Sequence, residues 1–285
     1  MFRSQWVLIK KKKSVQLAFA ISMVYAFISF FLVRDELSNG FSGFWSYCGM
    51  GFNTQWDVYS IMLCFLVAIP AMSFQDDVLN QTLATVWVRD NRKEYLKAKI
   101  GVVFLANFLI VLIPCLINLL LCLVYSGSYG LVPSPFGHTL STIKFNLLNV
   151  SPDDWFVGIY VPFPFLFEHC PILYVLLYMI FMAAFVGFLG MVLLAISFWI
   201  RRFKIVLFIP VFIATKIGTM LDGWSYNTNY MRYHHRYANY DMWDYVAPAS
   251  YYGLNYLAFF GIILLLCGFI YISYRMLCGK EYVDV

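Results

Sequence analysis

The sequence predicts an all-α polytopic membrane protein with six transmembrane helices and both termini in the cytoplasm, and three observations predict it. Of 285 residues, 62% are hydrophobic and only 12% are charged, with a mean hydropathy of +0.73; a water-soluble surface does not tolerate that composition. Apolar runs of about 17 to 25 residues, the length that crosses roughly 30 Å of hydrocarbon, recur six times. They lie near 16–33, 58–73, 100–125, 172–199, 205–221 and 255–274. The basic residues then orient them, because Lys and Arg collect in cytoplasmic loops. Fifteen of the 20 fall at the N-terminus, between spans two and three, between spans four and five, or in the tail, against Arg34, Lys144, Arg232 and Arg236 in the opposite loops and Lys216 within span five. All of 1–285 reads as one transmembrane domain, with no room for a second.

The net charge of +5 sits beside the membrane, where it orients the chain and meets anionic lipid, so no nucleic-acid partner is expected. Residues 1–14 place Phe2, Trp6 and Ile9 on one helical face, with Arg3 and Lys10 to Lys13 beside it. This is the pattern of a helix lying on the cytoplasmic leaflet; as a plain topology anchor it would look the same. The apolar run that follows has no small-x-small cleavage site and is read as span one rather than as a signal peptide.

Between spans two and three lies Phe74 to Lys99, with nine of the chain's 35 formal charges and neither Gly nor Pro. Such a stretch favours a short charged helix over 78–92, exposed at the inner face where another protein could push it. Pro70 in span two and Pro114, Asn107 and Asn118 in span three are polar or helix-breaking residues that either pack the bundle or line a pathway. In span four, Ala183, Ala184, Gly187 and Gly190 form a small-residue face for close helix approach, within the chain or at a subunit interface. Lys216 is the only formal charge inside a span. It lies five residues from the outer end, and is read either as snorkelling outward or as facing a substrate.

The outer loop 127–170 is too long for a simple connection, and its prolines and aromatics predict a structured extracellular cap. In the loop 222–254, Tyr230, Tyr233, Tyr237 and Tyr240 recur at spacings of three, four and three, which places them on one face of a short interfacial or re-entrant helix. They serve there as membrane-interface anchors or as an aromatic gate on the substrate path. Cys48 and Cys170 are the two cysteines in outer loops; the sequence leaves open whether they pair.

Several chemistries lack their residues. There is no G-x-x-x-x-G-K-[ST] phosphate cradle, no H-E-x-x-H and no G-x-S-x-G. His234 and His235 are adjacent rather than at ligand spacing, and His169 with Cys170 and Glu168 reads as loop surface; no catalytic, cofactor-binding or metal site is expected. All 15 acidic residues fall in loops or at span ends, where a proton- or sodium-coupled carrier would keep some within its spans.

The 74–99 stretch resembles the cytoplasmic segment of permease subunits in the type-2 ABC exporter superfamily: Phe74, Asp77, Thr82, Leu83, Arg92, Tyr95, Ala98 and Lys99 occupy comparable places. Asp77 replaces the family's Glu, Gln81 its Gly, and Asp90 or Asn91 its Pro. The layout of six spans, surface helix and outer helices is similar too, although the 127–170 loop is longer than usual.

The resemblance implies a non-catalytic permease, docked on a cytoplasmic ABC ATPase chain that carries the ATP and Mg, and dimerised with an identical or related second permease chain in the cell membrane, here expected to be a bacterial plasma membrane. It implies that Asp77, Thr82, Leu83, Trp87, Arg89, Arg92, Tyr95 and Lys99 form the ATPase-coupling segment, with Asp77 paired to Arg89 or Arg92. The aromatic outer loops and apolar interior suggest a hydrophobic or amphipathic substrate, such as an antimicrobial peptide, a lipid-like molecule or a drug, moved outward past Asn107, Asn118, Lys216 and the four tyrosines. The alternative is a non-transporting membrane immunity protein that sequesters a peptide at its outer surface.

Overall fold

The computed structural model describes residues 1–38, 54–80, 92–126, 165–166, 170–225, 241–243, 245–246 and 256–279. Every regular element of any length among them is helical. In chain order these are α1 (Phe2–Lys11), α2 (Lys13–Ser38), α3 (Thr54–Leu66), α4 (Ala68–Ala71), α5 (Ser73–Leu79), α6 (Arg92–Ser126), α7 (Pro171–Trp199), a 3-10 turn (Lys204–Phe208), α8 (Ile209–Ser225) and α9 (Tyr256–Gly279). Six stretches are long and apolar enough to cross a membrane: Lys13–Leu32, Val58–Leu79, Arg92–Tyr125, Ile172–Trp199, Lys204–Leu221 and Tyr256–Gly279. They coincide with the six predicted spans.

The predicted surface helix over 1–14 is α1, and it stops where Lys12 turns to extended backbone (φ −68°, ψ 123°). One face of α1 is buried through Gln5 and Ile9. Phe2 lies over Gly101 of α6, where an added Cβ would stand 3.1 Å from its ring.

Span two is built from α3, α4 and α5 in succession. Pro70 has no N–H to donate, yet the ladder carries through the breaks: Val67 N–H reaches Leu63 O, Met72 reaches Ala68 and Asp76 reaches Met72, each at 3.0 Å. This helix ends at Asn80, two residues into the stretch 78–92 expected to form the charged helix. Its remainder, 81–91, lies outside the described residues, as do the loop segments 127–164 and 226–240.

At 35 residues, α6 is about 52 Å long and outruns the roughly 30 Å of hydrocarbon by several turns. About 12 Å of the extra length is the polar start, Arg92 to Lys99, which the apolar-run criterion placed outside span three. It packs along both α7 and α2. The small-residue face of α7 turns inward onto α6, because a Cβ on Gly187 would sit 2.8 Å from the Phe104 ring and one on Gly190 only 2.0 Å from Asn107 Nδ2. Of the two partners that face allowed, the chain itself supplies the one observed.

Burial separates the spans. About two thirds of the apolar window of the second and fourth spans is buried within the chain, against 11% for the sixth. The second and fourth are therefore the centre of the bundle, and α9 is its exposed flank.

Candidate functional site

Three consecutive polar residues at the end of span two, Gln75, Asp76 and Asp77, organise the basic end of the bundle. Successive residues of an α-helix point about 100° apart, so the three side chains of α5 leave in three directions. Each finds a different partner.

Asp77 faces α6. Its Oδ2 accepts a hydrogen bond from the Tyr95 hydroxyl at 2.6 Å and an ion pair from Lys99 Nζ at 2.5 Å. Lys99 is 1% exposed and Asp77 20%, so the cation has left water for a single carboxylate. Lys99 Nζ also donates to Gln5 Oε1 of α1 at 3.4 Å and stands 5.8 Å from the Tyr95 ring centre. The spacing of Tyr95 and Lys99 at i and i+4 puts both on one face of α6, and that is why one carboxylate can take both.

Asp76 faces the other way. Lys12, at the break between α1 and α2, reaches it at 2.7 Å, and Lys204, at the start of the 3-10 turn, pairs with its second oxygen. These three side chains keep a fifth to two fifths of their surface, so each bond contributes only about 0 to 1 kcal/mol. Lys12 Nζ also approaches the Ser73 carbonyl at 3.4 Å.

Gln75, fully buried, donates from Nε2 to the carbonyls of Ile200 at 2.5 Å and Phe203 at 3.5 Å. It thereby occupies one of the carbonyl ends that α7 leaves bare at its C-terminus. Phe74, one residue earlier, meets Phe198 edge to face at 4.8 Å between ring centres. One turn and a half of helix thus ties down α1, the start of α2, α6, the end of α7 and the entry to span five.

The expected coupling residues divide as follows. Asp77, Tyr95 and Lys99 come together; Thr82, Leu83, Trp87 and Arg89 lie outside the described residues. Arg92 begins α6 and is partly buried. The partners described for Asp77 are Lys99 and Tyr95; Arg89, one of the two arginines expected to pair with it, lies outside the described residues. Gln5, Lys12, Gln75, Asp76 and Lys204 were missed. Gln75 and Asp76 adjoin the motif, but Lys12 is one of four consecutive lysines and nothing in that run singles it out.

Of the pathway candidates, Asn118 donates to Ala26 O of α2 at 2.8 Å and joins two helices. Asn107 is buried against Gly190 and donates to Val103 O, one turn back, at 3.2 Å. Lys216 is exposed, with Nζ 6.0 Å from the ring centre of Phe212, one turn back toward the start of α8. Tyr230, Tyr233, Tyr237 and Tyr240 lie outside the described residues.

A neighbouring residue carries what the outer loop shows. Trp243 is fully buried: its Nε1 donates to Thr215 Oγ1 at 2.9 Å, and its ring meets Phe185 edge to face at 5.9 Å. Cys64 Sγ lies 3.3 Å from the same Thr215 oxygen, and Tyr245 stacks on Phe259 at 4.6 Å. Cys64 is 12 residues, about 18 Å of helix, from Asp76, so Trp243, bonded to Thr215 beside Cys64, enters well inside the bundle. The interfacial or re-entrant helix expected to carry Tyr230 to Tyr240 lies outside the described residues; 241–243 and 245–246, which follow it, include turns. Cys170 is a free, exposed thiol, and Cys48 lies outside the described residues. Among the described residues no three His, Cys, Asp or Glu side chains converge as a metal site requires.

A family model described as ABC-2 family transporter protein matches residues 4–153, slightly more than half of the chain. That stretch holds Gln5, Lys12, Gln75 to Asp77, Tyr95 and Lys99, whereas Ile200, Phe203, Lys204 and Trp243 fall beyond it. No curated protein and no solved structure matches the chain.

Proposed function

The chain belongs to the ABC-2 family of transporter proteins and is a multi-pass membrane permease of ABC-type transport, and from that premise we propose that it is a non-catalytic export subunit driven through the Gln75–Asp76–Asp77 turn. The basic end of the bundle faces the cytoplasm, as the distribution of Lys and Arg supports. A separate ATPase chain, holding ATP and Mg, docks on the segment between Asn80 and Arg92, and a second permease chain completes the transporter in a bacterial plasma membrane. The cargo is hydrophobic or amphipathic and moves outward.

The observation that carries this reading is the position of the turn. Both flanks of the 81–91 segment, α5 before it and the start of α6 after it, are joined by Asp77, Tyr95 and Lys99 within two turns of where that segment begins and ends. A displacement applied there reaches spans two and three together, with α1, the start of α2 and the 200–204 link following through Lys99–Gln5, Lys12–Asp76 and Gln75–Ile200. Rigid-body movement of packed helices is the ordinary way such a push is passed on. No carboxylate of this chain's described residues lies midway along a span, so the work has to arrive from outside.

The test is co-purification from the native membrane followed by reconstitution. An ATPase chain should accompany the protein, and the variant Asp77→Leu/Lys99→Met/Tyr95→Phe should fold, keep the ATPase bound and hydrolyse ATP while exporting less per ATP. An isolated chain that concentrates cargo on a pH or sodium gradient would overturn the reading.

A further inference from the structure

We propose that the groove between α6, α7 and α9 is a binding site for one anionic phospholipid, its phosphate on Lys97 and an acyl chain lying toward Cys267. The groove has a volume of about 380 Å³ and is lined by Lys97 and Ile100 of α6, Phe188 and Met191 of α7, and Ile270 and Tyr274 of α9, with Cys267 and Tyr271 completing it. The lining residues follow helical spacing, three apart on α6 and α7 and at 267, 270, 271 and 274 on α9, so each helix gives the groove one face. Seven residues of α9 separate Cys267 from Tyr274, about 10 Å, which places the groove within one leaflet, at the basic end.

Charge selects the headgroup. Lys97 is exposed and makes no hydrogen bond or ion pair, unlike Lys12, Lys99 and Lys204, which all have carboxylates. Arg275 and Glu94 lie near enough to Tyr274 to act on it electrostatically; with Lys97 they leave the rim one unit positive. An apolar trough ending at a rim with one excess positive charge beside the membrane surface is complementary to an acyl chain ending in a phosphate diester, and basic pockets between spans take such headgroups. The site requires only that the chain sits in a bilayer.

Native mass spectrometry of the purified protein with equimolar phosphatidylglycerol and phosphatidylcholine tests this. The protein should retain one phosphatidylglycerol in preference by roughly fivefold, the factor for about 1 kcal/mol per Lys near an anionic surface. Lys97→Glu should abolish the preference, Lys93→Ala should leave it intact, and Met191→Trp, which fills the trough, should reduce retention of both lipids. As a second readout, phosphatidylglycerol should slow alkylation of Cys267 by a bilayer-soluble maleimide in the unaltered chain but not in Lys97→Glu. Equal retention of the two lipids, an unchanged preference in Lys97→Glu, or a trough filled by a second copy of the chain with lipid excluded would each overturn the proposal.

Discussion

Removing the Asp77 carboxylate should cost far more than removing the lysine it holds, and the difference measures how the pair works. In Asp77→Ala, Lys99 loses a 2.5 Å ion pair while remaining 1% exposed, and Tyr95 loses its 2.6 Å acceptor. Breaking a buried pair by deleting one partner costs about 3 to 5 kcal/mol. The lower end applies here, about 3 kcal/mol, because Asp77 is itself one-fifth exposed and water can enter, and Gln5 Oε1 remains near the ammonium. In Lys99→Met the carboxylate keeps the Tyr95 hydroxyl and its contact with solvent, so the loss is about 1 to 2 kcal/mol. The double variant Asp77→Ala/Lys99→Met strands no charge and should lose only about 2 kcal/mol, giving a coupling energy near 2 to 3 kcal/mol. Equilibrium unfolding in mixed micelles, followed by circular dichroism, measures all three. A double variant whose loss equals the sum of the singles to within about 0.5 kcal/mol would refute the argument that these side chains act as one unit.

Other substitutions probe the remaining contacts. Gly190→Ala forces a methyl to within 2.0 Å of Asn107 Nδ2 and should destabilise by about 1 to 3 kcal/mol, with Asn107→Ala in the same chain restoring much of it; unfolding of the two variants side by side decides. Trp243→Ala removes a fully buried indole and its bond to Thr215, a loss of about 3 to 5 kcal/mol, while Trp243→Phe should lose markedly less, and thermal unfolding in detergent ranks them. Lys12→Met and Lys204→Met should each change stability by no more than about 1 kcal/mol, since both share the partly exposed Asp76; a larger loss in either unfolding curve would show that the exposed side of the turn bears more than its burial allows.

The spans were legible because crossing hydrocarbon is a condition on length and hydropathy, and both are written locally. The start of α6 was not: Arg92 to Lys99 is a good helix former but too polar for an apolar-run criterion, and it is helical because Tyr95, Leu96 and Lys99 pack inward. Asp77, Tyr95 and Lys99 could be named from the motif although their mutual contact could not. Lys12 and Lys204 lie in sequence far from Asp76, in basic runs that read as topology signals, and no pattern distinguishes a lysine that meets a carboxylate from its neighbours. Trp243 was obscured for a different reason. A Trp in an outer loop ordinarily anchors at the interface, and only the fold shows Thr215 and Phe185 converging on it.

The value of the polar turn lies in geometry more than in stability. A buried ion pair is often no more stabilising than apolar residues of the same volume, and the outer bonds of Asp76 are weak, so these residues are poorly explained as contributors to folding energy. Their directions explain them better. Gln75, Asp76 and Asp77 cover about 200° of the circumference of α5, each bonded to a different element, and any rotation of that helix lengthens at least one bond. Above the turn, Gly187 and Gly190 let α6 and α7 approach until Phe104 and Asn107 fill the space, leaving no slack between the two helices; farther up, Trp243 is clamped by Thr215 and Phe185. Close-packed interfaces of this kind respond to a push by moving as bodies rather than by deforming. On the proposed reading, a displacement at Leu79 would pass into a joint shift of α5 and α6 that carries the end of α7 with it. Movement of span six would lag behind, because α9 has little of its surface buried in the bundle.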